Sequence, residues 1–199
     1  LGMAYKERGD NVILYSFYLQ YPSFLFPGKT QYEESSPPEG LSIKPLINSI
    51  NPLNWFNVAR KINKVKPDLV IIRYWLPFMA PCLGTIARLL NNKIKILAIT
   101  DNVIPHEKRI GDALSTRYFL KSCDAFLTLS SSVLYDLEKF TSSSFKKFIP
   151  HPIYDIFGEQ GLYLGIALHL ELASSYYVCC FKLIALFLQL FYWESCFLI

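Results

Sequence analysis

Two stretches decide the fold: Lys66-Pro-Asp-Leu-Val-Ile-Ile-Arg-Tyr-Trp75 and Ile94-Lys-Ile-Leu-Ala-Ile-Thr-Asp-Asn102. Each contains a short apolar run, at residues 69–72 and 94–99, that is too short for a helix and rich in β-branched side chains. Such runs are typical of strands buried on both faces of a parallel sheet. Residues 77–92 between them are long enough for the crossover helix that two parallel strands require.

The same alternation of strand and helix patterns continues on both sides of this unit. Strands are predicted at residues 11–18, 41–48, 125–129 and 145–149, and helices at 77–92, 104–123 and 132–140. A further helix is predicted to begin at Asn51-Pro52, with Asn51 as its cap. The pattern predicts an α/β fold with a doubly wound parallel sheet and right-handed crossovers.

The helix after Asn51 carries one apolar and one basic set of residues. We expect an inward apolar stripe on this helix and three cations facing water. The expected inward residues are Leu53, Phe56, Val58, Ala59 and Ile62, and the outward cations are Arg60, Lys61 and Lys64.

Polar and aromatic side chains follow both central strands. In open α/β sheets, ligands bind just beyond the carboxyl ends of the strands, so these residues form the first candidate site. They are Arg73, Tyr74 and Trp75 after the first strand and Thr100, Asp101 and Asn102 after the second. For four of them a structural role is an open alternative: an ion pair for Arg73, core packing for Tyr74 and Trp75, and a turn for Asp101.

Charge and cysteine content limit the function classes. The 199-residue chain has a formal net charge of +4, which suits an anionic substrate or membrane surface but lacks the basic run of a nucleic-acid binder. Its five cysteines form no metal or redox spacing, which indicates a reducing, cytoplasmic compartment. Cys82 and Cys123 are predicted to be small core residues, and no metal cluster or Gly-x-Ser-x-Gly elbow is present.

The two ends of the chain depart from the α/β pattern. Residues 1–10 are predicted to be the end of a helix that closes at Gly9, either a remnant of a longer segment or a short capping helix. Residues 161–199 are strongly apolar, with Glu171, Lys182 and Glu194 as their charged side chains. Three explanations for this tail stay open: a shifted reading frame after Gln160, a membrane anchor over residues 173–193, or a buried helical hairpin.

Several motifs, in this order and spacing, give the chain a family resemblance. They are residues 66–75, Asp101-Asn-Val-Ile-Pro-His-Glu-Lys108, the Ser130-Ser-Ser-Val-Leu turn and the Pro150-His-Pro-Ile-Tyr segment. Over residues 1–159 the chain resembles the N-terminal, acceptor-side domain of GT-B glycosyltransferases of family four. The resemblance implies a Rossmann-like domain at residues 1–152 whose first strand is missing, a hinge remnant at 153–160, and the apolar tail at 161–199 in place of the donor-binding domain.

The resemblance also implies a reaction: transfer of a sugar from a nucleotide-sugar to a glycan or lipid-linked acceptor, as in polysaccharide biosynthesis. It places His106 and Asp101 at the catalytic centre, and Arg73, Tyr74, Trp75, Asn102, Glu107 and Lys108 as substrate-binding residues. His106 as a helix cap without substrate contact is an open alternative. The resemblance implies that no metal is required and no cofactor besides the nucleotide-sugar. It also implies a chain that is inactive alone.

Other classes of function stay open. The first alternative is a non-enzymatic α/β module that binds a sugar or nucleotide, or is tethered to the inner face of a membrane through its tail. The second is a sugar-nucleotide epimerase of the same two-domain architecture. The glycosyltransferase hypothesis in particular requires a Rossmann-like layer that ends near Pro152, with Asp101 and His106 at one rim.

Overall fold

The computed structural model describes residues 1–22, 40–105, 109–150 and 197–198. These residues form an α/β arrangement in which strands alternate with helices. The strands are β1 (Ile13–Leu19), β2 (Ser42–Asn48), β3 (Leu69–Tyr74), β4 (Lys95–Thr100), β5 (Ala125–Thr128), β6 (Lys146–Phe148) and β7 (Phe197–Leu198). The helices are α1 (Gly2–Glu7), α2 (Pro52–Val65), α3 (Ala80–Arg88), α4 (Asp112–Leu120) and α5 (Ser131–Glu138), with a 3-10 turn at Pro77–Met79 before α3. The predicted order of helices and strands is confirmed over residues 1–150, whereas β7 was not predicted.

The strands form one sheet in the order β2-β1-β7-β3-β4-β5-β6. Strands β3 to β6 are parallel neighbours, joined in turn by α3, α4 and α5. The pairing of β3 with β4 is in register over six residues, from Leu69 opposite Lys95 to Tyr74 opposite Thr100. This parallel sheet flanked by helices is compatible with a Rossmann-like fold.

Strand β7 lies between β1 and β3 and runs antiparallel to both. It pairs through two residues on each side: Phe197 and Leu198 face Tyr15 and Leu14 of β1, and the same two residues face β3. Because β7 is antiparallel to both neighbours, β1, β2 and β3 all run in the same direction. The described residues belong to one compact unit, Leu1–Pro150 with Trp193–Ile199. The predicted hinge remnant and the tail before Phe197 lie outside the described residues.

The core has a large cluster on one face of the sheet and a small cluster on the other. The large cluster joins Ile72 and Tyr74 of β3 to buried residues of α2, α3, α4 and α5. The small cluster centres on Leu14, Ile71 and Ile99, against which Tyr5 of α1 packs. Burial on both faces explains why the central strands are apolar runs rather than alternating ones. In the described part of the chain, no helix is long and apolar enough to cross a bilayer.

Helix α2 begins as its sequence predicts. The Asn51 side chain accepts hydrogen bonds from the backbone N–H groups of Leu53 and Asn54, and Pro52 occupies the first helical position. The helix ends at Lys66, whose φ of 54° is left-handed and directs its N–H to the Ile62 carbonyl. These caps satisfy backbone groups that a helix leaves without partners at its ends.

The predicted inward stripe of α2 is partly wrong. Val58, Ala59 and Ile62 are buried as expected, but Leu53 and Phe56 are exposed. At 100° per residue, the three buried positions share one side of the helix, and Leu53 and Phe56 lie on the other. Their apolar character alone had suggested burial, but the helical period places them in solvent.

Cys82 is a small core residue, as predicted. Cys123, for which the same was predicted, is only partly buried. Cys82 is completely buried in α3, and Cys123 is half-buried and packs against the large cluster. Burial raises the pKa of both thiols, that of Cys123 to about 12. Since the thiolate is the reactive form, both sulfurs are in an inert environment.

We expect Cys82 and Cys123 in the folded chain to react with N-ethylmaleimide at pH 8 about tenfold or more slowly than in urea, because burial disfavours their thiolates. Peptide mass mapping distinguishes them from the three cysteines near the C-terminus. The same two peptides from urea-treated protein are the internal control. Equal labelling rates with and without urea would contradict the burial of these thiols.

Candidate functional site

An ion pair joins the carboxyl ends of β3 and β4. The Arg73 Nε atom donates to Asp101 Oδ2 at 2.6 Å, and a second guanidinium nitrogen donates to Oδ1 at 3.2 Å. Both side chains are largely shielded from water, with exposed fractions of 13% for Arg73 and 26% for Asp101. A two-bond fork of this kind fixes the orientation of the carboxylate as well as its position.

Strand register explains why these two side chains meet. Arg73 follows Ile71 by two residues, and Asp101 follows Ile99 by two, so each continues the face of its strand that carries the small cluster. In-register pairing places Arg73 opposite Ile99, one alternation before Asp101. The Asp101 backbone N–H also donates to the Tyr74 carbonyl at 2.9 Å, which extends the pairing beyond β4.

The geometry leaves Asp101 able to bind hydroxyl groups. Each carboxylate oxygen accepts one bond from Arg73, and a carboxylate has about four acceptor positions in all. About a quarter of the Asp101 side chain remains exposed, so a ligand can reach it. The arrangement is therefore a fixed hydrogen-bond acceptor, held in place by a cation, at the edge where α/β sheets bind ligands.

Tyr74 lies in the core, which agrees with the alternative of core packing and not with the substrate-binding role implied by the resemblance. Its side chain is fully buried, its ring stacks on Phe119 at 4.5 Å between centroids, and its Oη lies 2.9 Å from Thr116 Oγ1. Burial raises the pKa of its phenol well above the usual value, an effect that the bond to Thr116 partly opposes. Alternation along β3 turns Tyr74 to the face opposite Arg73, which leaves its ring no open side.

Trp75 belongs to a group of aromatic residues just beyond β3. Its ring meets Phe17 edge-on at 6.4 Å, and its Nε1 donates to Tyr21 Oη at 3.0 Å. Tyr21 in turn stacks on Phe78, with centroids 6.2 Å apart. Trp75 as a whole is half-buried and packs against the large cluster. The contribution of Phe78 was missed from sequence, although it follows Trp75 by three residues.

The remaining predicted residues lie in the segment that follows β4. Asn102 comes directly after Asp101 and is half-buried. His106, Glu107 and Lys108 lie outside the described residues, so their predicted roles stay predictions. Over residues 1–22, 40–105 and 109–150, no group of three or more His, Cys, Asp or Glu side chains is arranged to hold a metal ion.

Comparison with known proteins assigns no family to this chain. The chain matches no protein-family model, and no curated protein matches it significantly in sequence.

Replacing Asp101 by Asn should lower the free energy of unfolding by about 1–3 kcal/mol, because it leaves the shielded Arg73 guanidinium without its carboxylate. Urea denaturation measures the change. Asp10→Asn is the matched control, since Asp10 forms an exposed pair with Arg8 and should contribute little. Equal losses in the two variants would show that the Arg73–Asp101 pair is not a shielded contact.

Replacing Tyr74 by Phe should cost about 1–2 kcal/mol, because the Thr116 hydroxyl loses its buried partner. The pH dependence should also change. The pKa of Tyr74 is raised in the folded state, so its contribution to stability is complete below the unfolded pKa of about 10 and is lost as pH rises above it. Between neutral and strongly alkaline pH, the free energy of unfolding should therefore fall less steeply for Tyr74→Phe than for the original chain. Identical slopes would contradict the burial of the phenol.

Proposed function

We propose that this chain forms the acceptor-side layer of a GT-B glycosyltransferase of the retaining, nucleotide-sugar-dependent type. The observation that carries the proposal is the fixed Asp101 carboxylate at the carboxyl ends of two parallel strands. Carboxylates held in this way bind sugar hydroxyls, and such edges are where α/β layers take ligands. The sequence motifs at residues 66–75 and 101–108 support the same assignment.

In this proposal, each residue near the edge has a defined task. Asp101 accepts a hydrogen bond from a hydroxyl of the reacting sugar or of the acceptor. His106, as a neutral imidazole five residues further on, orients the acceptor hydroxyl or takes its proton. Asn102, Glu107 and Lys108 contact polar groups of the acceptor.

Trp75 offers its exposed part to the face of a sugar ring, and the aromatic contacts with Phe17 and Tyr21 hold it in place. Tyr74 is not part of the proposed site. Its hydroxyl and ring stabilise β3 from behind, where they contact Thr116 and Phe119.

The leaving nucleotide requires positive charge that this layer does not offer through Arg73. Phosphate departure is helped by cations and helix N-termini aimed at the developing charge. The Arg73 guanidinium is already forked onto Asp101, so its charge is compensated. In this proposal, a donor-binding lobe supplies the phosphate contacts in place of Arg73. No metal is needed where protein cations perform this task.

The same compensated pair favours a second candidate, a binding module without catalysis. A neutral Arg73–Asp101 pair suits recognition of an uncharged sugar better than recognition of a phosphate. We place either form in the cytoplasm, in contact with the inner face of a membrane when the acceptor is lipid-linked.

Saturation-transfer NMR with neutral di- and trisaccharides tests the proposed acceptor site directly. The unmodified chain should give saccharide signals, and Asp101→Asn and His106→Ala should each weaken them about tenfold. His169→Ala is the control for removal of a histidine elsewhere, and it should leave the signals unchanged. Saccharide signals that persist in both site variants would contradict the proposed acceptor site.

Turnover distinguishes the two candidates. Incubation of the chain with UDP- and GDP-sugars and the same saccharides should release no nucleoside diphosphate. Addition of a donor-binding lobe should produce release if the chain is the acceptor half, and no release if it is a binding module. Measurable transfer by this chain alone would contradict the need for a second lobe.

A further inference from the structure

An open pocket lies beside the outermost strand of the sheet, between β2 and helix α2. Its volume is about 360 Å³, which is within the range of pockets that bind small organic molecules. One side is formed by Tyr18 of β1 and by Pro45 and Leu46 of β2. The pocket shares no residue with the Arg73–Asp101 pair, and β1 and β7 separate β2 from β3 in the sheet.

The helical period brings the polar side chains of α2 together on the other side of this pocket. At 100° per residue, four exposed positions fall within an arc of about 100° and so form one stripe along the helix. They are Asn57, Arg60, Lys61 and Lys64. The stripe therefore presents three cations and an amide to the same space.

The three cations have no counter-charge in this part of the molecule. Helix α2 contains no Asp or Glu, and no carboxylate lines the pocket. Among the described residues, none forms an ion pair or hydrogen bond with the side chains of Arg60, Lys61 and Lys64. Other exposed cations do have such partners, as Arg8 does in Asp10. Uncompensated positive charge in a concave surface attracts anions.

Hydrogen bonds between β2 and α2 fix the shape of the pocket. Asn54 Nδ2 donates to the Leu46 carbonyl at 2.9 Å, and Asn54 Oδ1 accepts from the Asn48 backbone N–H at 2.8 Å. Trp55 Nε1 donates to the Asn48 carbonyl at 2.7 Å, and Asn48 Nδ2 donates to Tyr18 Oη at 3.1 Å. These bonds hold the helix against the strand, so the pocket is formed before a ligand arrives, as most small-molecule sites are.

We propose that this pocket binds a small soluble phosphate ester. The phosphoryl group, with a charge of about −1.5 to −2 at neutral pH, contacts Arg60, Lys61 and Lys64. The guanidinium offers a planar fork of donors and the two ammonium groups offer point charges, and both kinds of cation bind phosphate. The Asn57 amide, which has no hydrogen-bond partner among the described residues, donates to the ester oxygens.

Charge and lining both favour a phosphate ester over other anions. A single carboxylate would leave two of the three cations uncompensated, whereas a phosphoryl group nearly balances them. Pro45 and Leu46 provide apolar contact for a carbon skeleton, which a free inorganic ion would not use. The proposal does not depend on glycosyl transfer, and it concerns a site that the proposed reaction does not use.

Saturation-transfer NMR of the full chain with glycerol 3-phosphate tests the proposal. The ester should bind with a Kd on the order of 1 mM or lower, and glycerol at the same concentration should give no signal, because it lacks the phosphoryl group. The ester carries no acyl chain, so its signal reports the pocket rather than adsorption to lipid. Raising the salt concentration should weaken binding, since the cations are exposed.

The triple variant Arg60→Gln, Lys61→Gln, Lys64→Gln should bind the ester about tenfold or more weakly, because it loses the charge-assisted hydrogen bonds. Glutamine is a good helix former, so α2 should persist, which far-ultraviolet circular dichroism checks. Asn57→Ala, which keeps all charges, should bind about threefold more weakly.

Matched controls separate this pocket from general charge and from the proposed acceptor site. Lys93→Gln, Lys121→Gln, Lys147→Gln removes three exposed cations outside the pocket and should bind the ester as the unmodified chain does. Asp101→Asn should also leave ester binding unchanged, even if it abolishes binding of neutral saccharides.

Hydrogen–deuterium exchange locates the ester independently of any variant. Glycerol 3-phosphate should slow exchange within residues 42–65, which contain β2 and α2. The proposal is overturned if the unmodified chain does not bind the ester at about 10 mM, if the two triple variants bind it equally well, or if protection falls outside residues 42–65.

Discussion

The in-register pairing of β3 with β4 is the constraint on which the candidate site depends. Six consecutive pairs align the two strands, so their last residues reach the same height at the edge of the sheet. Alternation then sends Arg73 and Asp101 to one face and Tyr74 to the other. A shift of one residue would place the carboxylate on the opposite face from the guanidinium, and the fork could not form. The apolar residues that bury these strands therefore also determine where the polar pair stands.

Much of this architecture can be predicted from sequence because its signals are local. The runs at 69–72 and 94–99 are β-branched and uninterrupted, and both proved to be strands, each extended at its carboxyl end. Asn51-Pro52 started α2 as expected, because a capping amide followed by proline suits few other places. Helix α5 begins after Ser130, although the Ser130 side chain makes no capping bond in the structure.

Predictions that required side-chain direction were less successful. The sequence placed Tyr74 among the ligand-binding residues because it follows an apolar run, but counting alternate positions from Val70 already directs it into the core. Leu53 and Phe56 were assigned inward because they are apolar, whereas the helical period sets them opposite Val58 and Ile62. The Arg73–Asp101 fork joins residues 28 positions apart, and one sequence alone offered an ion pair only as one of several options.

The seven strands form one continuous sheet, but the number of paired residues differs from one strand pair to the next. β1 has seven residues and β3 has six, yet β7 bridges them through two residues on each side, while β3 and β4 share six pairs. Among the described residues, β7 forms two pairs on each side and β5 pairs with β6 through three, whereas β1–β2 and β3–β4 each share six. Cooperative opening follows the places where the fewest bonds must break. For the pairs that the structure describes, we expect the sheet to open first beside β7, between the β2–β1 pair and the four strands β3 to β6, and at the edge strand β6.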